Sequence, residues 1–179
     1  DAAAPVGLVG APLGVGSVTP GGCDLAPARL RATLKRMGRY NVETGRELGA
    51  RIRDYGDVAL GGLSNEQSTA PIREAVAASV EAHGLTLLIG GNNAVTRPGV
   101  HGLGLPLDQI GLITLDAHFD MRDTRDGLSN GNPVRALIED GLPGRNIAQV
   151  GLARFANSEA MHDDALAAGN LVIMIGEVS

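Results

Sequence analysis

The chain holds 179 residues, enough for one substantial core and short for two, with 44% hydrophobic and 20% charged side chains. Its 20 acidic and 15 basic residues leave a net charge of −5, which lacks the basic footprint of a nucleic-acid binder. Aromatics make up 2% with no Trp, so the core must rest on Ala, Val, Leu and Ile; the single Cys23 excludes an internal disulfide and fits a reducing cytosol. No apolar run approaches the ~20 residues of a membrane-spanning helix, so no membrane partner is expected. The opening Asp1-Ala2-Ala3-Ala4-Pro5 has no basic stretch ahead of an apolar one and does not read as a signal peptide.

In chain order, residues 6–10 form an apolar run closed by glycine and read as a strand, followed by a Gly- and Pro-rich loop to about Asp24. Pro27 suits the first turn of a helix, with Ala28, Leu30, Leu34 and Met37 at roughly helical spacing. A weaker strand is expected at 57–60. Ser68 or Thr69 can cap a helix through His83 whose buried side is Ile72, Val76, Ala77 and Val80. Clear strands follow at 85–89, closed by Gly90-Gly91, and at 110–115, with His101 in a loop between them. Residues 133–140 read as helix, 147–150 as strand, 158–168 as helix and 171–175 as strand.

Strands thus alternate with helices, and several strands are apolar throughout. That pattern predicts an α/β domain over residues 1–179, with a parallel sheet covered by helices on both faces. The last predicted strand ends four residues before the chain does. Since domains rarely finish on an uncovered central strand, further chain is expected beyond Ser179. Gly10-x-x-x-Gly14-x-Gly16 does not meet the dinucleotide fingerprint, because no helix opens directly after it.

In open parallel sheets, ligands bind beyond the carboxyl ends of the strands. There, directly after Leu115, stands Asp116-Ala117-His118-Phe119-Asp120. Alternation along an extended segment would send Asp116, His118 and Asp120 to one side. Two carboxylates and an imidazole at a strand end can hold a divalent metal and suit manganese. The alternative is a set of solvated loop polars with a hydrogen-bonded His.

These five residues resemble the DAHxD signature of the ureohydrolases, the superfamily of arginase, agmatinase and formimidoylglutamase. Three further segments agree in order and spacing. Gly10-Ala11-Pro12 with Pro20-Gly21-Gly22-Cys23-Asp24-Leu25-Ala26-Pro27 is similar to that family's first strand and the loop entering its first helix. Gly90-Gly91-Asn92-Asn93 stands where the family has GGDH, and Ser129-Asn130-Gly131-Asn132-Pro133 resembles the loop and helix start that border its substrate. The match covers nearly the whole chain, and a later S-x-D-x-D motif of the family lies beyond it.

The resemblance implies a three-layer arginase-type fold and an intact parent with two Mn2+ ions. Asp116 would bridge both ions, His118 would bind one and Asp120 the other, with Asp120 also relaying a proton to the leaving nitrogen. A paired metal centre lowers the pKa of water for attack on an amidine-like carbon. Such a parent is expected to be a cytoplasmic homo-oligomer acting on a small molecule. Where the family places a metal-binding His, this chain has Asn93, a weaker ligand. That departure motivates a rival reading as a non-catalytic homologue kept for binding or assembly. A plain alternative for Asn92-Asn93 is a polar turn that caps a helix.

Arg122 sits two residues beyond Asp120, and a guanidinium there pairs with carboxylate and repels a cationic guanidine. An acidic substrate follows, unless Arg122 merely pairs with Asp123 or Asp126. Arg122 and Arg154-Phe155-Ala156-Asn157-Ser158 resemble the formimidoylglutamase branch, which cleaves N-formimino-L-glutamate in histidine catabolism, more than agmatinase or arginase. Asn130, near a position where those two carry His, is a candidate substrate contact.

Overall fold

The computed structural model describes residues 4–19 and 21–178. The start of the chain at Asp1–Ala3 and the Pro20 of the loop motif lie outside the described residues. Two compact units emerge, one drawn from residues 1–15 and 20–103 and the other from 16–19 and 104–179. Among the described residues no helix is long and apolar enough to cross a membrane.

The first unit begins with β1 (Val6–Ala11) and α1 (Ala26–Leu34), then a small antiparallel pair, β2 (Tyr40–Asn41) and β3 (Arg46–Glu47). It continues with β4 (Ile52–Asp57), α2 (Asn65–Ala82), β5 (Leu85–Gly90) and α3 (Thr96–His101). Its main sheet is parallel in the order β4-β1-β5, with Val6 opposite both Ile52 and Leu85. β1 is the central strand, and Leu8, Val9 and Ala11 are buried.

The two faces of β1 are dressed differently. A Cβ at Gly7 would strike Ser79 of α2, while one at Gly10 would meet Asp57 and Arg31. Residues three apart on a strand face opposite ways, so α2 covers the Gly7 face and Arg31 of α1 reaches the Gly10 face. On the α2 side, Ala11, Leu13, Leu60, Ile72, Val76, Ala94 and Val95 make one apolar cluster. His83 closes α2 as its C-terminal cap and is itself buried, with Nδ1 2.6 Å from the Ala4 carbonyl and Nε2 2.9 Å from the Tyr55 hydroxyl.

The second unit contains β6 (Leu112–Leu115), α4 (Pro133–Asp140), β7 (Ile147–Leu152), α5 (Glu159–Ala168) and β8 (Leu171–Met174). Its sheet is also parallel, in the order β6-β7-β8. Gly141 and Gly169 end the two helices in left-handed caps, and the Ser158 hydroxyl caps the start of α5.

Several elements differ from the sequence expectation. The weak strand expected at 57–60 is β4 at Ile52–Asp57. It is mostly exposed and carries charge, so no apolar run marks it. Helix α2 starts at Asn65, because Ser64 and Gln67 form a reciprocal capping box upstream of the expected caps. α1 stops at Leu34, leaving Met37 outside it and exposed. His101 closes α3 instead of lying in a loop.

Among its residues, α1 buries Pro27 alone, so polar contacts carry much of its attachment. Arg31 grips Asp54 through Nε at 2.7 Å and Nη2 at 2.9 Å and also pairs with Asp57. The hydrogen bond from Arg31 holds the Asp54 carboxyl below its ordinary value. A lowered native pKa contributes stability above the unfolded value of about 3.9, lost as pH falls through the native one. Arg31→Leu should therefore cost roughly 1 kcal/mol at neutral pH, the upper end for a solvent-screened pair. The deficit should vanish in acid, well below the usual carboxylate range. Denaturant melts across pH read this out, and an undiminished deficit in acid would mean that Arg31 acts through packing.

Candidate metal and substrate site

The second unit's ladder between β6 and β7 continues one residue past the strand, where Asp116 N–H donates to the Val150 carbonyl at 3.1 Å. The chain then bends at Ala117 and His118 instead of running on extended. Asp116 Oδ1 accepts from the His118 backbone N–H at 2.9 Å, a local turn of the kind short carboxylates favour. Asp120 takes a left-handed conformation with φ +54°, which Asp tolerates better than most residues. Strand alternation therefore does not govern this segment, and the expectation that it sends Asp116, His118 and Asp120 to one side is corrected: a turn sets Asp116 beside His118.

The turn brings Asp116 and His118 together, with His118 Nδ1 3.3 Å from Asp116 Oδ1 and both side chains open to solvent, 60% for the imidazole. Asp120 is buried, between buried Phe119 and Met121. Among the described residues no group of three or more His, Cys, Asp or Glu side chains is gathered as a metal site. The Asp116–His118 pair fits a divalent ion in donor chemistry, since a carboxylate oxygen and an imidazole nitrogen converge with lone pairs to share.

The backbone of this turn is held from several directions. Ala117 C=O accepts from Ala153 N–H at 3.0 Å and from Asn157 Nδ2 at 2.9 Å. Phe119 N–H donates to Asn157 Oδ1 at 2.9 Å, and Phe119 C=O accepts from Gln149 Nε2 at 2.7 Å. Asp120 C=O accepts from Arg135 N–H in the first turn of α4 at 3.2 Å. The Phe119 ring lies edge-on to His162 of α5, with centroids 5.9 Å apart. Gln149 escaped the sequence reading, although a single amide inside the apolar run of β7 is a signal of a buried polar task.

Arg122 is exposed, and its N–H donates to the Gly131 carbonyl at 3.0 Å. Neither ion pair considered from the sequence forms. Asp123 is taken by Arg125, whose guanidinium and backbone N–H hold its carboxyl down at about 2. Asn130 Oδ1 accepts from Val18 N–H at 2.8 Å, so of its carboxamide the NH2 end is the part left for a ligand. Buried Asn132 ties the loop shut, accepting from Ser129 N–H and donating to the carbonyls of Asp123 and Gly127.

Asn93 belongs to the first unit, at the start of a short 3-10 turn. Asn92 is the N-cap, its Oδ1 accepting from Ala94 N–H at 2.9 Å while Nδ2 donates to Val15 C=O at 2.7 Å. Asn93 Oδ1 accepts from the Thr96 hydroxyl at 2.6 Å. The capping alternative thus describes Asn92, while the Asn93 amide oxygen is engaged by Thr96.

Parallel strands flanked by helices, with a carboxylate–imidazole turn at a strand's carboxyl end, define an α/β protein. Comparison makes the class specific. The profile of the arginase family matches residues 4–176, and the chain belongs to that family. A formimidoylglutamase of Halalkalibacterium halodurans is 32% identical over 157 residues, covering 85% of this chain and 49% of that protein. A mitochondrial agmatinase of Gallus gallus is 30% identical over 139 residues, covering 75% and 41%. The crystal structure of formimidoylglutamase from Bacillus subtilis superposes with a TM-score of 0.89 at 26% identity, over 97% of this chain and 56% of that one. Trypanosoma cruzi formiminoglutamase, crystallised with Mn2+, gives 0.87 at 25% identity, over 98% and 61%. The fold is that of the arginase-type formimidoylglutamases, and the chain spans about half the length of the curated relatives it matches.

One substitution probes the loop beside Arg122. A Cβ on Gly131 would lie 2.6 Å from Arg122 Cδ and 3.0 Å from Nε. Gly131→Ala should therefore turn the Arg122 side chain to another rotamer while the Asn132 contacts hold the loop. A crystal structure of the variant checks this, and an unmoved Arg122 would show that the Gly131 backbone yields instead.

Proposed function

We propose that the full-length protein is a manganese-dependent formimidoylglutamase, hydrolysing N-formimino-L-glutamate to glutamate and formamide. Arg122 carries this reading. Among the described residues its guanidinium has no acidic partner, and it stands two residues beyond Asp120, as a carboxylate-bearing substrate requires. The sequence match to a formimidoylglutamase supports it. The proposal extends to a cytoplasmic homo-oligomer in histidine catabolism, where a single unpaired Cys23 is at ease.

In this reading Asp116, His118 and Asp120 hold manganese, with Asn93 at the place of a further ligand. Bound manganese supplies the polarisation that makes water nucleophilic near neutral pH. Arg122 anchors the glutamate carboxylate, and the Asn130 NH2 end borders the substrate. Water adds its oxygen to the amidine carbon, the C–N bond to glutamate breaks, and Asp120 carries a proton to the departing nitrogen.

Arg122→Ala should lower kcat/KM on formiminoglutamate by about 100-fold, the scale expected for losing a charged bidentate contact. Arg122→Lys should recover little, since the ammonium cannot form the fork. Steady-state assays with formiminoglutamate and agmatine decide it. Preference of the unmodified enzyme for agmatine would defeat the substrate assignment, and turnover of neither with manganese present would favour the non-catalytic reading.

Asn93 predicts an uneven pair of metal sites, because an amide oxygen already engaged by Thr96 is a poor substitute for imidazole. Asn93→His should raise manganese content toward two ions per chain and raise the rate at low manganese. Metal content by mass spectrometry beside a manganese titration tests this. Two tightly held ions before the substitution, with no gain after it, would sink the idea.

A further inference from the structure

We infer that Asn157 is a positioning residue, whose carboxamide clamps the peptide groups on either side of His118 and so sets how Asp116 and His118 present their donor atoms to a metal. This rests on the reading of that turn as a manganese site. An Asn side chain in a loop can bond its own turn. Asn157 instead sends both polar atoms to one distant segment. Its Oδ1 accepts from Phe119 N–H and its Nδ2 donates to Ala117 C=O, each at 2.9 Å and 38 and 40 residues away in sequence.

The two bonds bracket a single residue, His118, at the bend. Its neighbours make the clamp necessary. Phe119 is 3% exposed, so its N–H would lose its acceptor without Asn157, and a buried unpaired donor is costly. Ala117 C=O would keep the Ala153 bond, which restrains one side of the bend alone. The chain could then relax toward the extended path that β6 begins, carrying His118 away from Asp116 Oδ1.

Asn157 is itself well anchored. Ser158, the next residue, caps α5 through its hydroxyl, and Phe155 two residues back holds a left-handed conformation with φ +62°. Gln149 completes the grip from the far side of Phe119. It is fully buried, and its Oε1 is fixed by Asn170 Nδ2 at 2.9 Å. Asn157 is the better probe of the two, being partly exposed and so easier to replace without unfolding the sheet.

The test uses full-length protein carrying Asn157→Ala or Asn157→Asp, with two readouts: the manganese dissociation constant by calorimetry and the thermal midpoint of the metal-free form. The Asp variant keeps an acceptor for Phe119 N–H but sets an oxygen against Ala117 C=O. Alanine should weaken manganese binding about 10- to 100-fold, the range for residues that orient metal ligands. Aspartate should weaken it less, with the metal-free midpoint shifting by a few degrees at most in either. Parent-like affinity in both variants would overturn the clamp, as would a fall in midpoint without a change in affinity. Should the alanine variant not fold, the aspartate affinity decides alone. A parent that takes up no manganese would instead overturn the metal reading on which the clamp rests.

Discussion

Where β6 stops, the peptide groups that follow have lost their ladder and still need partners, and buried peptide groups without them are rare in folded proteins. The molecule meets this need at residues 116–120 with contacts from β7, from the start of α4 and from the connection into α5. Asp116 takes the last ladder bond, Asn157 and Ala153 hold Ala117, Asn157 and Gln149 hold Phe119, and Arg135 holds Asp120. The position of Asp116, His118 and Asp120 is therefore fixed through their backbone.

That solution places polar groups deep in the second unit, which is costly unless each is paired. Gln149 and Asn170 satisfy one another and the Phe119 carbonyl, yet Asn170 Oδ1 has no hydrogen-bond partner. Gly144 lies so close that a Cβ there would come 2.7 Å from that oxygen and 2.0 Å from the Ala168 carbonyl. Glycine is thus required at 144, first by the Ala168 backbone and then by the buried Asn170 oxygen.

How far the sequence disclosed all this depended on what each element buries. Strands β1, β5 and β8 read directly as apolar runs, and α4 has the expected Pro133–Asp140 limits, with proline opening it and Gly141 closing it. β4 was displaced by several residues in the reading because Ile52-Arg53-Asp54-Tyr55-Gly56-Asp57 shows no apolar period. The expected caps of α2, Ser68 and Thr69, lie inside the helix, which starts from a capping box at Ser64 and runs through Pro71. The turn at residues 116–120 was legible as a polar segment after a strand but not in its conformation. Its shape comes from Asn157 and Gln149, and no local pattern announces contacts between residues thirty to forty apart.

Helix α4 shows how the 116–120 turn and the loop beside Arg122 are built from one another. The first N–H groups of a helix have no partner within it. Pro133 has none to offer, and the N–H of Arg135, third in the helix, goes to the Asp120 carbonyl. Asn132, at the cap position, makes no capping bond and spends its side chain closing residues 123–132. The Arg135 side chain then bonds Glu139 on its own helix and Asp164 on α5, fixing α4 against the helix that begins just after Asn157. Asp120, Arg122 and Gly131 consequently share one rigid support. A change in the α4–α5 contact would therefore reach Asp120 and Arg122 together, the two residues to which the proposal gives proton transfer and substrate binding.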